Sequence, residues 1–159
     1  MTPTIPPVDD EAMRIASIIE RVEAYDPRQS LDNRADEMPL DLEIAKVIGL
    51  ASEDWQVARG SVTGYFSGDG VGGFGNPTVP RYTRSLDAAM TLVPDNADAA
   101  GERLRLEAYN SHGVLAPHVR ASAWVAGAPR AYAATPALAL CAAALRVRAA
   151  LQNREAGDE

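Results

Sequence analysis

Apolar residues return at helical spacing in four stretches of this chain, and in two others they alternate with polar ones at every second position. From Asp9 to Tyr25, residues Ala12, Ile15, Ile18, Ile19 and Val22 fall on one helical face, with Asp9, Asp10 and Glu11 at the end where the helix dipole is positive. Pro27 closes that helix. A second is expected from about Pro39 to Ala51, because proline suits a first helical position and Leu40, Ile44, Val47, Ile48 and Ala51 form one stripe that leaves Lys46 on the solvent side. "SLDAAMTLVP" gives a short third helix, with Ser85 as N-cap, Leu86, Ala89, Met90 and Val93 inward, and Pro94 as its stop. The fourth starts at the N-cap Thr135 and Pro136. Its two adjacent stripes, Leu138, Cys141, Leu145, Ala149 and Leu140, Ala144, Val147, Leu151, imply broad burial.

The alternating stretches read as strands. "RLRLEAYN" sets Leu104, Leu106 and Ala108 against Arg103, Arg105, Glu107 and Tyr109, and "HVRASAWVAG" sets Val119, Ala121, Ala123 and Val125 against Arg120, Ser122 and Trp124. "SHGVLAP" between them suits a hairpin connection, so the pair is expected antiparallel, with "RAYAA" as a third strand. The segment from Ser52 to Phe66 fits either a short strand or a loop anchored by aromatic residues. The expected architecture is α+β: an antiparallel sheet packed between helices, α/β/α sandwich-like, with an extra N-terminal amphipathic helix. Residues 1–8 are expected as a flexible arm, 9–26 as the acidic amphipathic helix, 27–37 as a polar linker, 38–152 as the α+β domain and 153–159 as a flexible tail. On that division the first helix stands outside the main domain, as an appendage or as a partner-binding or dimerising element.

Composition narrows the classes. A chain of 159 residues fits one domain, but 29 residues are alanine and only two each are Phe and Trp, so the 47% apolar fraction buries less area than it suggests and self-association is expected to help. The single cysteine, Cys141, excludes an internal disulfide and a Cys-rich metal site, and its place in an apolar stripe reads as a small core residue. "MTPTIPPVDD" has no basic start followed by an apolar run, which points to the cytoplasm of a host cell; no stretch approaches the roughly 20 apolar residues of a membrane span. Residues 1–60 hold 13 acidic and 6 basic side chains, whereas 61–159 hold 9 of each. A surface of that sign repels phosphate backbones, so nucleic acid is disfavoured as a partner.

Three segments, "PLDLEIAKVIGL", "PRYTRSLDAAMTLV" and "ATPALALCAAALRVRA", together resemble the phage ABA sandwich domain, a family of small proteins from phage and prophage genomes. The family pattern is an early helix ending in glycine, a Pro-x-Tyr-Ser/Thr step into an alanine-rich helix, and a late Thr-x-Pro-like step into an Ala-Cys-rich helix. Pro80, Tyr82, Ala88, Ala89, Thr135, Leu138 and Cys141 stand at those positions; Met90 and Ala142 depart from it, where the family often has Trp and Arg. The resemblance implies a helix/sheet/helix sandwich of phage or prophage origin. It brings no established activity and no catalytic residue.

Candidate chemistry is sparse. In "YFSGDGVGGFGN", Gly68, Gly70 and Gly73 spell G-x-G-x-x-G, but a dinucleotide cradle needs a helix opening within the motif, and Pro77 and Pro80 forbid one there. The stretch is therefore expected as a surface loop or lid, with Tyr65 and Phe74 as stacking faces. His112 and His118 are the only imidazoles and flank the expected hairpin turn, without a fixed acidic partner. Arg103, Arg105, Arg120, Tyr109 and Trp124 share one expected sheet face, a set that suits a small anionic or nucleotide-like ligand. Three readings follow. The first is a non-enzymatic phage or prophage accessory protein, without metal or cofactor, that binds a protein partner of host or phage, in host modulation or counter-defence, through its acidic helix. The second is a binder that sequesters a nucleotide-derived signal between the Arg/aromatic face and the glycine loop. The third is a hydrolase using His112 and His118.

Overall fold

The computed structural model describes residues 8–68, 71–94, 104–108, 121–125 and 128–157. In chain order its elements are α1 (Val8–Ala24), α2 (Asn33–Val47), β1 (Gln56–Ala58), β2 (Ser61–Gly68), β3 (Val71–Gly75), α3 (Leu86–Met90), β4 (Leu104–Ala108), β5 (Ala121–Val125), β6 (Ala131–Ala133) and α4 (Pro136–Gly157). The strands form two antiparallel sheets, ordered β1-β2-β3 and β4-β5-β6. Helices packed on antiparallel sheets make this an α+β fold, as the periodicities imply. Among the described residues, no helix is long and apolar enough to cross a membrane.

α4 organises the core. The Thr135 hydroxyl accepts the Leu138 N–H at 3.3 Å and Pro136 fills the first helical position, which starts the helix where the sequence places it. Every residue from Ala137 to Leu145 is buried, because the β4-β5-β6 sheet, α1 and α3 each cover part of the helix. Alanine makes this close fit. The register sets Ala121 opposite Ala133 and Ala123 opposite Ala131, and these small side chains share one core with Ala139, Ala142 and Ala143. The helix runs on to Gly157, through most of the segment expected as a tail.

α1 belongs to that same core. Ile15, Ile18, Ile19 and Val22 are buried against it, and fully burying each such side chain is worth about 1.5–3 kcal/mol, far more than the surface pairs nearby. Arg146 meets Glu23 at 2.6 Å, Gln152 meets Glu11 at 3.1 Å and Arg14 meets Glu53 at 2.8 Å, so polar contacts flank the apolar seam. The helix expected outside the main domain is thus part of its centre.

α2 begins six residues before the expected start. Asp32 caps it, its carboxylate accepting the N–H groups of Arg34 and Ala35, so Asn33 to Glu37 are helical and not linker. Pro39 lies inside the helix, and the carbonyl of Ala35 that it cannot serve belongs to an exposed residue. The helix buries two apolar faces: Leu40 and Ile44 in the main core, and Leu42 in a smaller cluster with Trp55 and Val62. α3 is a single turn capped by Ser85 (Ala88 N–H to Oγ, 3.2 Å), and it buries Ala89 and the following Leu92 while Leu86 and Met90 stay exposed.

The glycine-rich stretch is a β-hairpin. β2 and β3 pair antiparallel from Gly64↔Gly75 to Gly68↔Val71, so the loop expected there is replaced by sheet. Alternation was hidden because glycine carries no side chain to alternate. Arg59 and Gly60, both at positive φ, make the tight turn between β1 and β2. Gly64 is required by close approach: a Cβ there would run into the Trp55 ring, whose indole N–H donates to the Tyr65 carbonyl at 2.8 Å.

Candidate functional site

One helical face of α2 is polar at 3.6-residue spacing: Arg34, Glu37 and Asp41, with Met38 among them. This face forms one wall of a cleft of about 290 Å³, closed by Ser61 and Val62 of β2 and by the extended chain from Asn76 to Val79 with Arg81 and Arg84. Val62 and Val79 add apolar surface. Arg34 is fixed by donating to the Gly60 carbonyl at 3.1 Å, whereas Arg81 and Arg84 are exposed at the rim. A second cavity of about 380 Å³, at the start of α4, shares Glu37 and Arg84 with the first.

The two carboxylates are buried. Glu37 accepts the Tyr25 hydroxyl at 3.2 Å, and burial together with the charge of Glu37 pushes the Tyr25 phenol up to about 12. Asp41 accepts the Thr83 N–H at 2.8 Å; burial raises its carboxyl to about 6, the Thr83 N–H holds it back, the charge of Glu37 raises it further and Arg81 draws it down. The segment that Asp41 grips is also held from behind, where the Cys141 thiol donates to the Tyr82 carbonyl at 3.0 Å. Burial pushes that thiol far up, so it stays a neutral donor. Among the described residues the Tyr82 hydroxyl is buried without a hydrogen-bond partner.

No family model matches the chain, and neither a curated protein nor a solved structure does. Asp41 of α2 holds Thr83 and Cys141 of α4 holds Tyr82, so the two helices grip one short segment between them.

The residues singled out in the sequence lie elsewhere. Gly68 ends β2, while Gly73 and the exposed Phe74 are in β3; Gly70 is outside the described residues. Arg105 in β4 is opposite the half-buried Trp124 in β5, and Arg103, Tyr109, Arg120, His112 and His118 lie outside the described residues. The hairpin and the Arg105/Trp124 pair belong to separate sheets, with no contact between them among the described residues. Among the described residues no three His, Cys, Asp or Glu side chains cluster as a metal site.

Arg34 and Glu37 were missed because placing the helix start at Pro39 left both in a linker, and with them the face they share with Asp41; Arg81 and Arg84 carry no signal of their own in the sequence. The signal was Asp32, an N-cap residue, followed by polar positions 34, 37 and 41 at helical spacing.

Proposed function

We propose that this protein binds a small nucleotide-like ligand in the α2 cleft, with an anionic group at Arg81 and Arg84 and a hydrogen-bond donor edge at Glu37 and Asp41. The observation that carries this reading is the meeting of exposed arginines with two buried carboxylates around a single space of about 290 Å³. That size is just under the roughly 300 Å³ at which the range for small-molecule pockets begins. Guanidinium groups bind phosphate by charge-assisted, bidentate bonds. A carboxylate accepts two adjacent N–H donors, which a guanine base presents and an adenine base does not. Met38, Val62 and Val79 offer apolar contact to the flat faces of such a base.

Thermal melting and calorimetric titration with guanosine monophosphate, adenosine monophosphate and inorganic phosphate test the reading. The guanine nucleotide is expected to raise the melting temperature most, phosphate least. Arg81→Ala with Arg84→Ala is expected to abolish that rise while leaving the ligand-free melt unchanged. A melt that no nucleotide shifts would remove the proposal.

A further inference from the structure

We propose that two copies of this chain pair through β3, the outer strand of the glycine-rich hairpin, to form a two-fold dimer with one continuous sheet. Among the described residues β3 is an edge strand: the order β1-β2-β3 gives it one neighbour. The parity of the ladder tells which of its backbone groups are spent. The Tyr65 N–H reaches Asp54 and its carbonyl accepts the Trp55 indole, so Tyr65 is turned toward the β1 side. By alternation Gly64, Phe66 and Gly68 face β3, and their partners Gly75, Gly73 and Val71 face back. Gly72 and Phe74 are left pointing their N–H and C=O groups outward.

Edge strands that stay single are protected by charge, proline or a bulge, and β3 has none of these in "VGGFG". The lack of charge matters for a chain of net charge −7, since two copies can approach here without setting like charges together. The strand is also self-complementary. With the two-fold axis at Gly73, Gly72 of one copy lies opposite Phe74 of the other, and the pair exchanges both backbone bonds on each side of the axis. Phe74 then covers a position without a side chain. Its ring already meets Tyr65 edge-on, centroids 5.3 Å apart, on a face where both rings are about two-thirds exposed (66% and 67%). Pairing β3 with its copy joins the two ring pairs into one strip, diagonal neighbours in a sheet lying about 7–8 Å apart. This accounts for the glycines as well as for the exposed rings.

Sedimentation equilibrium of the full chain is expected to give a dimer. Gly72→Pro removes an outward donor that the hairpin itself does not use, and Phe74→Lys adds an edge charge; each is expected to weaken dimerisation about tenfold or more, with the melting curve at a fixed low concentration retained. A Cβ at Gly73 meets nothing within 4 Å, so Gly73→Cys is expected to fold and to form a disulfide across the axis on mild oxidation, while the buried Cys141 stays reduced. A wild-type chain that is monomeric at every concentration overturns the proposal. So does a dimer that survives both edge variants and gives no crosslink when Gly73→Cys is oxidised.

Discussion

The carboxylate of Asp41 accepts the backbone N–H of Thr83 at 2.8 Å, a buried bond between residues 42 positions apart. It ties α2 to the extended segment that lines the cleft, and so sets the shape of the candidate site.

Burial of that carboxyl, only partly offset by the bond, makes stability depend on pH. The Asp41 carboxyl moves from an ordinary 3.8 to about 6, so between these values the folded chain keeps a proton that the unfolded chain gives up. Its contribution is full below pH 3.8 and is lost as pH rises through about 6, a loss of roughly 3 kcal/mol by pH 7. Asp41→Asn retains the acceptor and has no charge to bury. The variant is expected to be about 2–3 kcal/mol more stable than wild type at pH 7, with the two converging near pH 4. Urea titrations at both pH values check this; equal stabilities at pH 7 would contradict it.

Placing α1 in the core gives a sharp contrast within one helix. Ile18→Ala is expected to cost about 2–5 kcal/mol, because it opens a cavity against α4. Met13, 69% exposed on the same helix, is expected to tolerate alanine within about 0.5 kcal/mol. If both changes prove equally mild by chemical denaturation, α1 is not docked as described.

Gly64→Ala puts a methyl group into the Trp55 ring. The ring must move and release the Tyr65 carbonyl, at a cost of about 1–3 kcal/mol. A shift of the Trp55 fluorescence maximum, read with Trp124→Phe as the background, reports that movement, and an unmoved spectrum with an unchanged melt would count against the contact.

Cys141 should resist thiol reagents in the native chain. The sulfur is buried, holds its proton tightly and is engaged with the Tyr82 carbonyl. Labelling is expected to be on the order of 100-fold faster in denaturant than in buffer. Comparable rates would mean that α4 is not closed over it.

The legible parts of this fold are those where side chains enforce a period. α4 shows itself through Thr135, Pro136 and its paired stripes, and β5 through alternating alanines. What escaped notice did so for two physical reasons. Glycines in β2 and β3 leave a strand no side-chain pattern, so backbone pairing alone defines it. And α2 buries a polar face as well as two apolar ones, so its amphipathic signal cancels and Pro39 looks like a beginning. The candidate site was hidden with it, since Glu37 and Asp41 join one face only once the helix starts at Asn33, behind its Asp32 cap.

α1 and α4 stand more than a hundred residues apart in the chain and yet share one core. During synthesis, then, the stripe of Ile15, Ile18 and Val22 leaves the ribosome long before the surface that covers it exists. At about 5–20 residues per second the wait is on the order of ten seconds. Through that interval the first helix is an uncovered apolar ribbon on a nascent chain, with Asp9, Asp10 and Glu11 at one end of it and Glu20 and Glu23 near the other, charges of the kind that favour solubility.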